Sequence, residues 1–243
     1  MRLAILIPSR YGAQRLPGKP LQDLCGAPMI VRVCERAAQV TGIDDLCVAT
    51  DDERIASAVA RAGFRALMTP RECRNGTERI AVASEQVRAD GYVNVQGDEP
   101  LIDPGAIAAV ADLLRAGAEM ATAARPLGNG EAEDPGVVKV VLGESGRAIY
   151  FSRSLIPYPR NASEVAPLAH LGIYGHSATA LRRFASLPET PLERAEGLEQ
   201  LRALYFGERI DVAVGPWHSL AVDSPDDLER ARAEFLREKR RTA

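Results

Sequence analysis

Over the first hundred residues, short apolar runs alternate with amphipathic stretches. Residues 3–7 (Leu-Ala-Ile-Leu-Ile) form a continuous apolar run of strand length bounded by polar positions, which predicts a buried strand. After Pro28 the apolar positions Met29, Ile30, Val33 and Ala37 recur at helical spacing, with proline in the first turn. A second short run at 46–50 predicts another strand. Asp51, Asp52 and Glu53 then place carboxylates where a helix N-terminus favours them, and Gly63 closes that helix. A strand over 64–68, a helix over 76–87 and a strand over 92–96 follow, the last running into Gly97-Asp98-Glu99-Pro100. Strands alternating with helices predict an α/β fold, a mostly parallel sheet with helices on both faces. In such sheets ligands bind beyond the carboxyl ends of the strands, so the loop after the first strand and the loop after residue 96 open on one edge.

From about Arg125 the pattern changes. Apolar stretches at 137–142 and 148–153, a loop holding Pro157, Pro159 and Pro167, and a strand at 170–174 predict an antiparallel insertion over about 126–190, suited to a substrate wall or a dimer contact. A helix is predicted over 192–205 and a strand over 209–214. Ser224 then caps a last helix whose first turn is acidic and whose end is basic. The 243 residues and 46% hydrophobic content suit one domain carrying that insertion. A formal net charge of −3 gives no nucleic-acid footprint. No run of about eighteen apolar residues and no leader core is visible, so a soluble cytoplasmic protein is expected. Cys25, Cys34, Cys47 and Cys73 lack metal-ligand spacing and read as free, largely buried thiols. Lysine occurs only at 19, 139 and 239, which singles out Lys19 and Lys139.

The loop after the first strand carries Arg10, Arg15 and Lys19 among glycines. It reads either as a polyphosphate clamp or as a solvated basic loop. It is no P-loop, because five residues separate Gly12 from Gly18 and Pro20 follows Lys19. Nor is it a dinucleotide fingerprint, because the Gly-x-Gly-x-x-Gly triplet is missing. Asp98 after one strand and Asp223 before a helix could hold one hard cation, with Mg²⁺ the natural choice beside phosphates. Turn and cap roles are the alternatives for each carboxylate.

The motifs Arg15-Leu16-Pro17-Gly18-Lys19-Pro20-Leu21, Gly76-Thr77-Glu78-Arg79, Asn94-Val95-Gln96-Gly97-Asp98-Glu99-Pro100, Tyr150-Phe151-Ser152-Arg153, His170-Leu171-Gly172-Ile173-Tyr174, Leu198-Glu199-Gln200-Leu201-Arg202 and Val222-Asp223 run in order along the chain. Together they resemble the 3-deoxy-manno-octulosonate (Kdo) cytidylyltransferases, the CMP-Kdo synthetases of lipopolysaccharide biosynthesis. The resemblance implies a nucleotide-diphospho-sugar-transferase-like fold, usually dimeric through the insertion, that moves CMP from CTP onto an acidic acceptor. It implies that Arg10, Arg15 and Lys19 meet the triphosphate and that Gly76, Thr77 and Arg79 lie near the cytidine. Asp98 and Asp223 would hold Mg²⁺ and, with Lys19, form the catalytic set. Gln96, Arg160, His170, Tyr174, Glu199 and Gln200 would face the acceptor, with His170 either a general base or a hydrogen-bonding residue.

Four positions depart from the family pattern: Asn75, Gly136, Ala169 and His176. Ala169 and His176 flank the acceptor strand, so 8-amino-Kdo or a phosphonate such as phosphonoformate stand beside Kdo as acceptors. A catalytically silent nucleotide-binding dimer is the reading from another class. Lys19, Asp98 and Asp223, whose loss would mark it, are all present.

Overall fold

The first apolar run is β1 (Leu3–Ser9), buried along its whole length. A computed structural model describes residues 1–12, 16–161 and 165–242 of the chain. These divide into two units, residues 1–108 with 218–243 and residues 109–217.

In the first unit β1 is followed by α1 (Met29–Ala37), β2 (Asp45–Thr50), α2 (Glu53–Arg61), β3 (Arg65–Met68), α3 (Gly76–Ser84) and β4 (Gly91–Asn94). The strands lie in the order β3-β2-β1-β4 and every pair is parallel, as the alternation predicts. Helix starts follow their capping residues. The Asp52 side chain accepts from the Arg54 amide and the Asn75 side chain from that of Glu78, each satisfying an N–H that the helix leaves without a partner. All four cysteines are free, and only Cys25 is less than buried. Burial pushes the Cys34 and Cys47 thiols up to about 12, so they stay protonated.

The division between the units falls within α4 (Pro104–Arg115), a helix the hydrophobic pattern did not single out. The second unit continues with β5 (Met120–Pro126), β6 (Lys139–Leu142), β7 (Ala148–Ser152), β8 (Leu168–Ser177), α5 (Ala178–Ser186), α6 (Pro191–Glu196), α7 (Gln200–Tyr205) and β9 (Asp211–Val214). β8 pairs antiparallel with β5 and β6, β6 antiparallel with β7, and β5 parallel with β9. The antiparallel texture expected here is thus present, while β5 and α5 are additions to the sequence reading. One expected element is corrected: the helix over 192–205 is two helices. Gly197 adopts φ 63°, ψ 40° after α6, a left-handed C-terminal cap that residues with a Cβ seldom adopt and that turns the chain before α7 begins.

Phe151, Phe184, Leu198, Leu201 and Ile210 centre the core of this unit. Its most deeply buried charges, Lys139, Glu193 and Arg202, are each hydrogen-bonded. Lys139 is completely covered, and its Nζ donates to the carbonyls of Asp134 (2.7 Å) and Arg153 (3.0 Å), so the second conspicuous lysine ties the loop before β6 to the end of β7. Arg202 pairs with Glu193 through two hydrogen bonds, with both side chains under 10% exposed.

The chain returns to the first unit in α8 (Pro225–Thr242). Its Leu228, Ala231 and Phe235 pack with Val222 on Leu16, Leu24, Met29 and Leu101. Among the described residues no helix is long and apolar enough to cross a membrane.

Burial lowers the His176 imidazole to about 4 and that of His170 to about 3. Both are therefore neutral in the folded protein, whereas the unfolded chain takes up protons near pH 6.5. Stability is fully present above pH 6.5 and is lost as pH falls toward these lower values. His176 is 3% exposed and its ring centroid lies 5.7 Å from that of Phe184; its share of the loss between pH 7 and pH 5 is about 2 kcal/mol. Denaturant unfolding at the two pH values should show His176→Phe losing markedly less stability than the wild type. Equal losses would contradict this assignment.

Candidate active site

Gly18, left-handed at φ 65°, leads into a single 3₁₀ turn at Lys19–Leu21. The Lys19 backbone N–H donates to the Leu16 carbonyl, and the side chain runs inward, 14% exposed. Its Nζ donates to Asp98 Oδ2 at 2.7 Å and to Asp223 Oδ1 at 3.0 Å. Residues 79 and 204 positions apart from the lysine thus meet at one ammonium.

Three devices bring the carboxylates there. The Val222 amide donates to the Asp98 carbonyl at 2.9 Å, tying the segment before α8 to the loop after β4. Asp227, in the first turn of α8, accepts from the backbone N–H groups of Asp223 and Ser224 (3.0 and 2.9 Å), while Ser224 Oγ accepts from the Asp227 amide. Burial works against the Asp227 charge, but hydrogen bonds from Arg230, Ser224 and the two backbone amides hold its carboxyl at about 2. This confirms Ser224 as the cap and adds Asp227 as the residue that sets Asp223. The Ser-x-x-Asp spacing is the signal that could have found it.

The third device is Gly97. A Cβ there would stand 2.7 Å from the Pro8 carbonyl oxygen and 3.2 Å from Ile30 Cδ1. No flexible side chain can yield to relieve the first contact, so the ends of β1 and β4 approach this closely only over glycine.

Behind Asp98, Glu99 is 8% exposed and Ser219 Oγ donates to it at 2.5 Å. Burial raises its carboxyl to about 7 despite the serine, with the Asp98 charge adding to the rise.

Around this centre, Arg10 is exposed at the end of β1, and Arg15 lies outside the described residues. The Arg54 guanidinium sits 3.4 Å from the centroid of the Tyr11 ring while it pairs with Asp52. Gly76 and Thr77 open α3 beside Pro8 and Gln96: a Cβ on Gly76 would lie 3.2 Å from Pro8 Cγ and 3.7 Å from Gln96 Oε1. Ser9 Oγ and Asn94 Oδ1, near the carboxyl ends of β1 and β4, are buried without a hydrogen-bond partner among the described residues. Neither was singled out from the sequence, because strand-end polar residues carry no pattern of their own. Arg79 points inward, 3% exposed and bonded to Asp51 and Thr69.

The other expected site residues belong to the second unit. His170 and Tyr174 lie on one face of β8 with ring centroids 5.4 Å apart, brought together by a bulge opposite Thr122/Ala123. Thr122 Oγ1 is 2.9 Å from His170 Nε2 and donates to the Ile173 carbonyl at 2.6 Å. Phe151 stands edge-on to the imidazole at 5.0 Å. Glu199 is the N-cap position of α7. Gln200, 3% exposed, has its Nε2 buried without a partner among the described residues. Arg160 is exposed on the loop between β7 and β8.

A hard cation in place of the Lys19 ammonium would find two carboxylates already converged, a donor set suited to Mg²⁺. The cluster lies in the first unit, in the loop after β1, the loop after β4 and the segment before α8.

Comparison with known proteins identifies the family. The sequence model of the cytidylyltransferase family matches residues 4–210. The chain is 51% identical over 235 residues to a protein of Anaeromyxobacter dehalogenans named 3-deoxy-manno-octulosonate cytidylyltransferase, covering 95% of this chain and 96% of that one. The chain belongs to the 3-deoxy-manno-octulosonate cytidylyltransferase family. A family member from Escherichia coli is 43% identical, with 98% of this chain and 97% of that protein covered. A solved structure of a CMP:2-keto-3-deoxy-manno-octonic acid synthetase complexed with CTP matches with a TM-score of 0.94 at 42% identity, covering 98% of this chain and all of that one.

Gly97→Ala should lose about 1–3 kcal/mol of stability and at least tenfold in nucleotide affinity, because the added methyl parts the strand ends that carry Ser9 and Asp98. Denaturant unfolding and calorimetric titration with CTP check this; a variant unchanged in both would refute the close-approach argument.

Proposed function

We propose that this chain transfers CMP from CTP to 3-deoxy-manno-octulosonate, giving CMP-Kdo and pyrophosphate. The observation that carries the reading is the convergence of Lys19, Asp98 and Asp223 at the carboxyl edge of the β1–β4 sheet. Membership of the family and the likeness to a CTP-complexed synthetase support it.

In-line attack of an acceptor oxygen on the α-phosphorus needs little covalent help from a protein. It needs charge neutralised on the phosphates and the nucleophile held in line. Arg10, Arg15 and Lys19 supply the positive charge. Asp98 and Asp223 would hold Mg²⁺, which when bound neutralises phosphate charge and lowers the pKa of a coordinated hydroxyl. Gly76 and Thr77 border the cytidine, while the buried Arg79 acts on that side from behind.

On the acceptor side Gln96, Arg160, His170, Tyr174, Glu199 and Gln200 supply hydrogen bonds and charge. His170, lowered to about 3 by burial, is neutral at pH 7 and too weak a base to drive deprotonation. It serves as a hydrogen-bonding partner, with Thr122 setting its orientation. The enzyme works in the cytoplasm, where CTP is made, as a homodimer built through the segment 126–190. That segment exposes Ile149 and Tyr158 at 61% and 82%, apolar surface that a second copy would cover.

Pyrophosphate release from CTP and Mg²⁺ should require Kdo and should stop when EDTA removes the metal. Release with phosphonoformate or 8-amino-Kdo but not with Kdo would overturn the acceptor, and silence with every acid would favour a nucleotide-binding module. Asp98→Asn should lower kcat about a thousandfold. Near-normal turnover in that variant would contradict the metal-holding role.

A further inference from the structure

Arg79 is the fourth residue of α3, and its guanidinium joins three segments of the first unit. Its Nη2 donates to Asp51 Oδ2 at 3.0 Å, just past the end of β2. Its Nη1 donates to Thr69 Oγ1 at 2.6 Å and to the Pro70 carbonyl at 3.4 Å, just past the end of β3. Thr69 Oγ1 in turn donates to the Thr50 carbonyl at 3.1 Å. The side chains of Arg79 and Asp51 are 3% and 16% exposed.

A buried ion pair seldom stabilises a fold more than well-packed apolar residues of the same volume would. What it adds is geometry, since a planar guanidinium bonded on two nitrogens fixes both distance and orientation. Here the fixed object is the first turn of α3. That turn presents Gly76 against Pro8, where an added Cβ would lie 3.2 Å from Pro8 Cγ, closer than an ordinary van der Waals contact.

We propose that Asp51, Thr69 and Arg79 form a positioning latch that sets the start of α3 for the nucleotide, with Arg79 holding the helix from within and making no contact with CTP itself. The inference rests on the CTP reading above. Two sequence features fall into place with it. The acid at 51 precedes the cap Asp52 and is not itself the cap. Arg79 follows Gly76-Thr77 at the spacing that turns its side chain back toward the strand ends.

The test is calorimetric titration with CTP, together with steady-state kinetics, on three proteins: the wild type, the near-isosteric Thr69→Val, and the double variant Asp51→Leu with Arg79→Met, which removes both charges together. Cooperative thermal unfolding establishes that each is folded. The latch predicts that the double variant weakens CTP binding at least tenfold and that Thr69→Val weakens it about fivefold. KM for CTP should rise in step, while kcat at saturating CTP stays within about threefold. If the double variant does not fold, Thr69→Val carries the test alone. CTP affinity unchanged in Thr69→Val would mean that the latch does not position the helix, and would overturn the proposal. A wild-type chain that binds no CTP would overturn the nucleotide reading itself, and the latch with it.

Discussion

One ammonium group holds the candidate site together. Lys19 Nζ lies within hydrogen-bond distance of Asp98 and Asp223, and each of the three comes from a segment with no local reason to be near the others. Two carboxylates at such range repel unless a positive charge lies between them. The lysine supplies that charge in the first unit by itself. The surrounding structure serves this arrangement: Gly97 lets two strand ends meet, Val222 ties α8 to the β4 loop, and Asp227 holds the backbone of Asp223. The apolar packing of α8 on Leu16, Leu24 and Met29 anchors the lysine loop from below.

Much of this was legible in the sequence because it rests on local rules. β1 to β4 and the helices between them follow from short apolar runs, helical spacing and the acidic start of α2, and α8 from its cap at Ser224. The pairing of Asp98, after a strand, with Asp223, before a helix, followed from the chemistry of two carboxylates that could share one cation. The participation of Lys19 as their bridge is a contact across 204 positions that no local pattern encodes.

The remainder escaped for physical reasons. Ile107, Val110 and Leu114 do recur at helical spacing in α4, but the many alanines of 104–126 are apolar on every face and blur the boundary between helix and strand there. The break at Gly197 was hidden because a lone glycine inside a helical stretch is tolerated, and only its left-handed backbone separates α6 from α7. Arg79 showed its charge in the sequence but not its direction. Its guanidinium is buried and bonded to Asp51 and Thr69, partners that lie 28 and 10 positions away and that no local pattern indicates. His170 likewise reads as a possible base until its environment is known; desolvation then makes it a neutral hydrogen-bonding ring. These differences share a cause, since residue type and spacing report which chemistry is available while burial decides which of it is used.

The claim that Lys19, Asp98 and Asp223 act as one unit is tested most directly by a double-mutant cycle on kcat with Lys19→Met and Asp223→Asn. Residues that act together lose most of their effect with the first substitution. The account predicts that each single variant falls by about two to three orders of magnitude and that the double variant falls little further. Effects that multiply, with the double variant losing the product of the two single losses, would contradict it.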